Sequence, residues 1–527
     1  MMSNDEKDSL QFMDLPTELL LQILGQLSYK DILRCRQSCK HLDTITRTDA
    51  NILYKIQLGL NGLQDGPSTS LKVHDRLRIL AEYQAGWDDL RFGPMRIVAM
   101  STHGVWELVR NVLAQRNRNS LVFVQLPSAV RGIDERLWTL DSIQRDIRDF
   151  AMDPTQNLLC ILETSQTEVH IHLRTLNAGD AHPLASNARI SYVQEISYWS
   201  YSIRICSGYL AILFPASPVS NLCVWNWTSG RLHLEISGQI LAYSFLTDHH
   251  IVLIRRHSAA ELLVIDLRSV SPKGTPVDEV DYICSFRFPA LKPDATVDYG
   301  EIRSDPPFSF STEHGPATPF HLASGERLFA VFMRGSDSSS VYGSPMFLIP
   351  LDSLLPHFYR IPNLAPKLQV EWDKWGPKGT RAIPVSLRHS PVWIRNVYGM
   401  RFVDLVTETG GDPYVFVADF NQAAFRKASM NEEYVTGART MKLVYEDSTL
   451  GWPSQMFADP VTTSLPYRWG KVHLPRNYES DNVDYDGAMV SEDAIVVVDC
   501  SQFDKTKYCI LSICSALDIQ HIVIHQD

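Results

Sequence analysis

The sequence predicts a two-part α+β chain: a short N-terminal helical block, then a long mostly-β region built as a β-propeller of about seven blades. Three observations carry this. Residues 13–48 space their aliphatics as one face of a helix does. Beyond residue 92, short runs rich in Val, Ile, Leu and aromatics alternate with clusters of Gly, Pro, Asn, Asp and Ser. Where compact, those runs recur at roughly 40–50 residues, the length of one four-stranded blade. A β-sandwich followed by a small β domain is the alternative architecture.

Residues 1–12 are polar and acidic. They are expected to be a disordered leader and lack the apolar stretch of a signal peptide. In residues 13–48, Leu15, Leu19, Leu20, Ile23, Leu24 and Leu27 fall at helical spacing. Pro16 suits the first turn, where its missing N–H costs nothing. Ser28 with Asp31 three residues later resembles a capping box opening a second helix that carries Ile32, Leu33 and Cys35. Cys39 and Leu42 continue an apolar face on a third. So few residues cannot bury so many aliphatics among themselves, so part of this surface must meet another element or another chain.

Residues 49–92 read as a helical linker. Asp49 can cap a helix holding Ile52, Leu53, Ile56 and Leu60. Gly62 to Ser70 is a loop. A helix from about Leu71 to Leu90 places Leu77, Leu80, Tyr83 and Trp87 on one face.

Residues 93–527 are the β region. Seven strand-like runs stand out: Leu121–Leu126, Val169–Leu173, Leu222–Thr228, Leu262–Leu267, Met346–Leu351, Tyr414–Asp419 and Ile495–Cys500. Several follow another plausible strand, such as Leu158–Leu162, Tyr209–Phe214, Ile251–Ile254 and Leu328–Phe332. Gly230 is expected at positive φ in a hairpin turn between Trp227 and Leu232. Trp225 and Trp227 are expected to alternate outward and inward from their strand, with blade packing as their favoured role and one aromatic on an exposed recognition face as the alternative. Pro-rich insertions at Pro289–Gly325 and Leu354–Pro384 stretch the later units.

Composition narrows function. The chain has 527 residues, with 45% hydrophobic and 21% charged residues, enough for a large core in at least two units. A net charge of −11 argues against general binding to nucleic acid or anionic membrane. Nine cysteines, odd in number and without paired spacing, read as thiols in a reducing compartment, cytoplasmic and/or nuclear. The sequon at Asn226 would then go unused.

Catalytic motifs are missing. The sequence holds no Gly-Lys-Ser/Thr phosphate loop, no His-Glu-x-x-His and no Gly-x-Ser-x-Gly. His170 and His172 would share a strand face but read as an ordinary face with no completing carboxylate or cysteine. No metal or cofactor is expected. Gly376 to Thr380 reads as a surface turn, Tyr478 to Gly487 as a solvated acidic loop, and Gly335 to Ser340 as a flexible one. Cys35 and Cys39, four apart, read as core packing on one helical face. Enzyme chemistry in a propeller channel would need buried carboxylates or histidines converging there.

Leu15, Pro16, Glu18, Leu19, Leu20, Ile23 and Leu24, with Asp31–Arg34 and Cys39–Leu42, closely resemble the F-box motif. One position departs: Ser38 stands where the family usually has an apolar residue, which would weaken docking by roughly 1 kcal/mol. The remainder resembles the fungal F-box proteins with a β-rich, propeller-like C-terminal region, through Leu121–Gly132, Ile147–Pro154 and Val224–Leu232. The resemblance implies a non-catalytic substrate receptor of an SCF ubiquitin ligase. It would dock on a Skp-type adaptor, and through it on a cullin and a RING subunit. The implied adaptor contacts are Leu15, Pro16, Leu19, Leu20, Ile23, Leu24, Leu27, Ile32, Leu33, Cys39 and Leu42. The β region would hold an unidentified protein substrate at unassigned residues. A scaffold that binds the adaptor without a cullin, and an enzyme in the propeller, are the alternatives.

Overall fold

In the computed structural model, the described residues are 12–515 except 68–69, 102–103, 118, 142–145, 166, 195–200, 217–218, 270–273, 309–316, 359–366, 385–394, 408–410, 431–439, 452–454, 475–484 and 503–504. The expected leader, but for Phe12, and most of the Tyr478–Gly487 loop therefore lie outside the described residues. Phe12 itself begins a short 3-10 turn, Phe12–Asp14.

Helices α1 (Thr17–Gln26), α2 (Tyr29–Ser38), α3 (Lys40–Thr48) and α4 (Ala50–Leu60) follow one another with minimal linkers. Their starts match the capping residues. The Ser28 hydroxyl accepts from the Asp31 N–H at 3.2 Å, and Asp49 accepts from the Ile52 N–H at 2.9 Å. Pro16 stands one position before α1, as its N-cap. Cys39 breaks the chain between α2 and α3, and its sulfur accepts from the Leu42 N–H. Cys35 and Cys39 therefore do not share one helix, because the backbone at Cys39 is extended.

The aliphatic surplus of the first helices meets α4. Leu20, Leu24, Ile32, Leu42 and Ile45 bury against Ile52 and Ile56. Gly59 lets α4 approach α2: a Cβ there would lie 2.2 Å from the Tyr29 ring. The other face of α4, with Tyr54 and Leu58, enters a second cluster. Leu80, Tyr83 and Trp87 of α5 (Val73–Asp88) join it, packing on Phe320, Tyr398, Val403, Val415, Val490 and Ile495 of the β region. Residues 49–92 are thus wedged into the propeller. A short antiparallel pair, Leu63–Asp65 with Phe320–Leu322, stitches them to an insertion of the fifth blade.

The β region is a seven-blade propeller. Each blade is a four-stranded antiparallel core, and three carry an added fifth strand at the outer edge: Thr275–Pro276, Leu368–Val370 and Lys442–Val444. Six of the seven runs picked out in the sequence are third strands of their blades, and the paired runs before them are second strands. The seventh, within Ala494–Gln502, is a second strand. Its blade is completed by Arg96–Ser101, which pairs antiparallel with Lys505–Ser512. The ring is closed by the chain's own beginning, a pairing across some 400 residues that no local pattern announces.

Several local readings change. Trp225 and Trp227 are both buried in one cluster, as residues two apart on a strand share a face. A bulge at Val224/Trp225 and the Trp227 indole donating to the Ser207 carbonyl at 2.9 Å complete that packing. Gly230 has φ 69°, as expected. Gly376–Gly379 is no surface turn: it ends the helix Trp372–Gly379, and Gly376 and Thr380 are buried. Gly335–Ser340 is a tight hairpin between Leu328–Ser336 and Val341–Gly343, with Asp337 accepting from the Ser339 and Ser340 N–H groups.

Candidate functional site

The eleven residues singled out in the helical block divide by exposure. Leu20, Leu24, Ile32 and Leu42 are at most 4% exposed and form the block's own core. Leu19 and Ile23, on the same helix, are 44% and 40% exposed. Pro16 is exposed, and Leu15, Leu27, Leu33 and Cys39 are half-buried. Phe12 and Met13, outside the predicted set, are also exposed. Helical geometry explains the split: Leu20 and Leu24 are i, i+4, as are Leu19 and Ile23, one position round the helix. Among the described residues nothing covers the exposed apolar surface of Phe12, Met13, Pro16, Leu19 and Ile23. Ser38 is exposed, and its hydroxyl donates to the Cys35 carbonyl at 2.7 Å.

The family model described as F-box-like matches residues 12–55. This span is the four-helix unit in which α4 completes the core. Residues 12–55 are an F-box-like domain. F-box domains generally bind Skp-type adaptors. The F-box-like domain is joined to a seven-blade propeller, an arrangement that fits a non-catalytic adaptor or receptor.

Solved structures add little beyond this. An uncharacterized protein, lmo1340, from Listeria monocytogenes aligns over 63% of this chain and 96% of its own at 10% identity, with a TM-score of 0.27. The Dos1 propeller aligns over 76% of this chain and 75% of its own at 9% identity, with a TM-score of 0.31. The Cps50 (Swd1) propeller from Myceliophteria thermophila covers 49% and 87% at 9% identity, with a TM-score of 0.24. Similarity this distant carries no functional argument. No curated protein matches the chain.

The propeller axis holds the groups an enzyme would need. Arg395 donates to both oxygens of Asp305 at 2.9 Å and to Glu107 at 2.7 Å, all three side chains being buried. Burial pushes Glu107 up against the opposing pull of Arg395. Asp149 is pushed up to about 7 by burial and by the charge of Glu107. The carboxylates converge, but Arg395 bridges two of them, and the space beside them is about 30 Å³, room for a water or two. This is a packed core with charge balance.

His170 and His172 each sit beside a carboxylate that the sequence did not place. His172 Nε2 is 2.8 Å from Glu163 and His170 Nε2 is 3.8 Å from Glu168. Strand pairing brings Glu163 across from His170, a relationship invisible along the chain. No helix among the described residues is long and apolar enough to cross a membrane.

Proposed function

We propose that this chain is the substrate-recognition subunit of an SCF-type ubiquitin ligase, acting in the cytoplasm or nucleus. The F-box-like domain docks on a Skp-type adaptor, which links it to a cullin and a RING subunit. The propeller holds a protein substrate, and the work is positional, raising the concentration of a substrate lysine near a charged conjugating enzyme. The observation that carries the reading is the exposed row of Leu19 and Ile23 with Phe12 and Met13, beside inward-facing Leu20 and Leu24. These side chains are already more than half covered, so burying the rest of each against an adaptor contributes about 1 kcal/mol before association costs are subtracted.

In the proposed complex the four core leucines and isoleucines act at one remove, by holding α1 in place. The exposed residues make the contact. The test is co-purification with a Skp-type adaptor and a cullin. Recovery of both, lost on Leu19→Asp with Ile23→Asp, supports the ligase reading. Adaptor without cullin assigns a scaffold, and no adaptor at all ends the proposal.

A further inference from the structure

A metal-ligating group that the F-box reading does not use lies on the fourth blade. Thr247 to His249 form the turn before the strand His250–Arg255, whose neighbour is Glu261–Asp266. His250 stands opposite Asp266 in that antiparallel ladder, and His249 precedes it. Each of the three offers one donor atom, and these atoms lie within 4.8 Å of one another. We propose that His249, His250 and Asp266 bind one divalent transition-metal ion of the zinc type.

The surroundings are arranged as a ligating set requires. His249 Nδ1 is hydrogen-bonded to the Asp248 carboxylate. A carboxylate only accepts, so Nδ1 carries a proton, and in the neutral ring Nε2 carries the lone pair. That Nε2 is enclosed and has no hydrogen-bond partner among the described residues. An enclosed imidazole lone pair aligned by a carboxylate is the outer-shell arrangement seen behind metal-bound histidines. His250 Nδ1 is held by the Thr247 hydroxyl at 2.8 Å, which fixes that ring too. His250 is buried, while His249 and Asp266 are half-buried.

Two imidazoles and one carboxylate favour Zn²⁺, Co²⁺ or Ni²⁺ over Ca²⁺ or Mg²⁺, which prefer all-oxygen sets. Arg268 already pairs with Asp266, Nη2 to Oδ2 at 2.8 Å, and is the group an ion must displace. Its side chain is largely exposed, and it holds Asp266 through Nε and Nη2 as well as through its backbone N–H.

The test is calorimetric titration of the untagged full-length protein with ZnCl₂, and separately with CaCl₂. One zinc per chain and no calcium are expected. His249→Ala and Asp266→Asn should each weaken zinc by a hundredfold or more. Asp248→Asn, which disturbs only the outer shell, should weaken it about tenfold. Arg268→Gln should tighten it about two- to fivefold. If His249→Ala fails to fold, the Asp248 and Arg268 variants decide. Absence of zinc binding by the folded wild-type protein, or binding that none of these substitutions changes, overturns the proposal.

Discussion

Arg131 and Asp493 are both buried and hydrogen-bonded, Arg131 Nε donating to Asp493 Oδ1 at 2.8 Å across 362 residues of chain. Arg131 lies just past the third strand of the first blade. Asp493 lies in the turn between the first two strands of the seventh. The same guanidinium reaches Glu492 at 3.0 Å and the Phe320 carbonyl at 3.1 Å. Ser128 adds a donor to Asp493, and Tyr83 of α5 donates to the Glu492 carbonyl at 2.7 Å. One cation thus joins the two blades at the ring's seam, the fifth-blade insertion and, through Tyr83, the helices behind the F-box-like domain.

Arg131→Met should therefore destabilise the propeller by about 3–5 kcal/mol, because it leaves two carboxylates buried without their counter-charge. Adding Asp493→Asn should restore part of the loss. Urea denaturation of the single and double variants measures both.

The two rows of α1 should separate in experiment. Leu24→Ala removes a fully buried side chain and should cost about 2–5 kcal/mol of stability in the F-box-like domain. Leu19→Asp with Ile23→Asp changes partly exposed positions, so stability should fall by only about 1–2 kcal/mol and the domain should stay folded. Under the proposed function, adaptor binding is lost in the second case despite intact folding. Circular dichroism melts beside a pull-down give the comparison.

Truncation should show where the propeller's support begins. Removing residues 1–48 leaves Tyr54, Leu58, Leu63, Leu80, Tyr83 and Trp87 in their cluster with the β region. Removing residues 1–90 strips all six, each worth about 1.5–3 kcal/mol in transfer terms, from Phe320, Tyr398 and Val403. The shorter deletion should melt cooperatively and elute as a monomer. The longer one should aggregate, although it keeps the closing strand Arg96–Ser101, as size-exclusion chromatography will report.

Asp149 should give the propeller an acid-side stability gain. Its folded pKa is raised from 3.8 to about 7, so between those values the folded state holds a proton that the unfolded state releases. Stability from this group is present below the unfolded value and declines as pH rises towards 7, by about 1.4 kcal/mol per unit at most. Asp149→Asn should flatten that decline and stabilise the protein at pH 8 relative to wild type. Denaturation midpoints from pH 4.5 to 8 test it.

Much of this architecture was legible along the chain. The F-box pattern, the Ser28 and Asp49 caps and the face of α5 depend on residues within four positions of one another, and all stand where their spacing put them. Blade strands showed because a strand buried on both faces reads as an apolar run. The Trp225/Trp227 reading failed on its own rule, since a period of two places both on one side. The helix Trp372–Gly379 is hidden by Gly and Pro, whose low propensity Trp375 overrides by packing on Phe286 and Phe288. Arg131 had a faint signal, a lone cation following an apolar strand.

The sequence by itself determined the F-box-like helices, their caps and the recurrence of blade-type strands, because those rest on local periodicity and local hydrogen bonds. The count of seven blades comes from the strand pairing. Tertiary structure alone decided which leucines face outward, that Arg96–Ser101 closes the seventh blade, and that Arg131 meets Asp493. It also decided that His249, His250 and Asp266 converge. The leucines are sorted by how α1 packs on α4, and the histidines meet Asp266 through neighbouring strands of one blade. The closing strand and the Arg131–Asp493 contact follow from distant segments meeting as the ring closes.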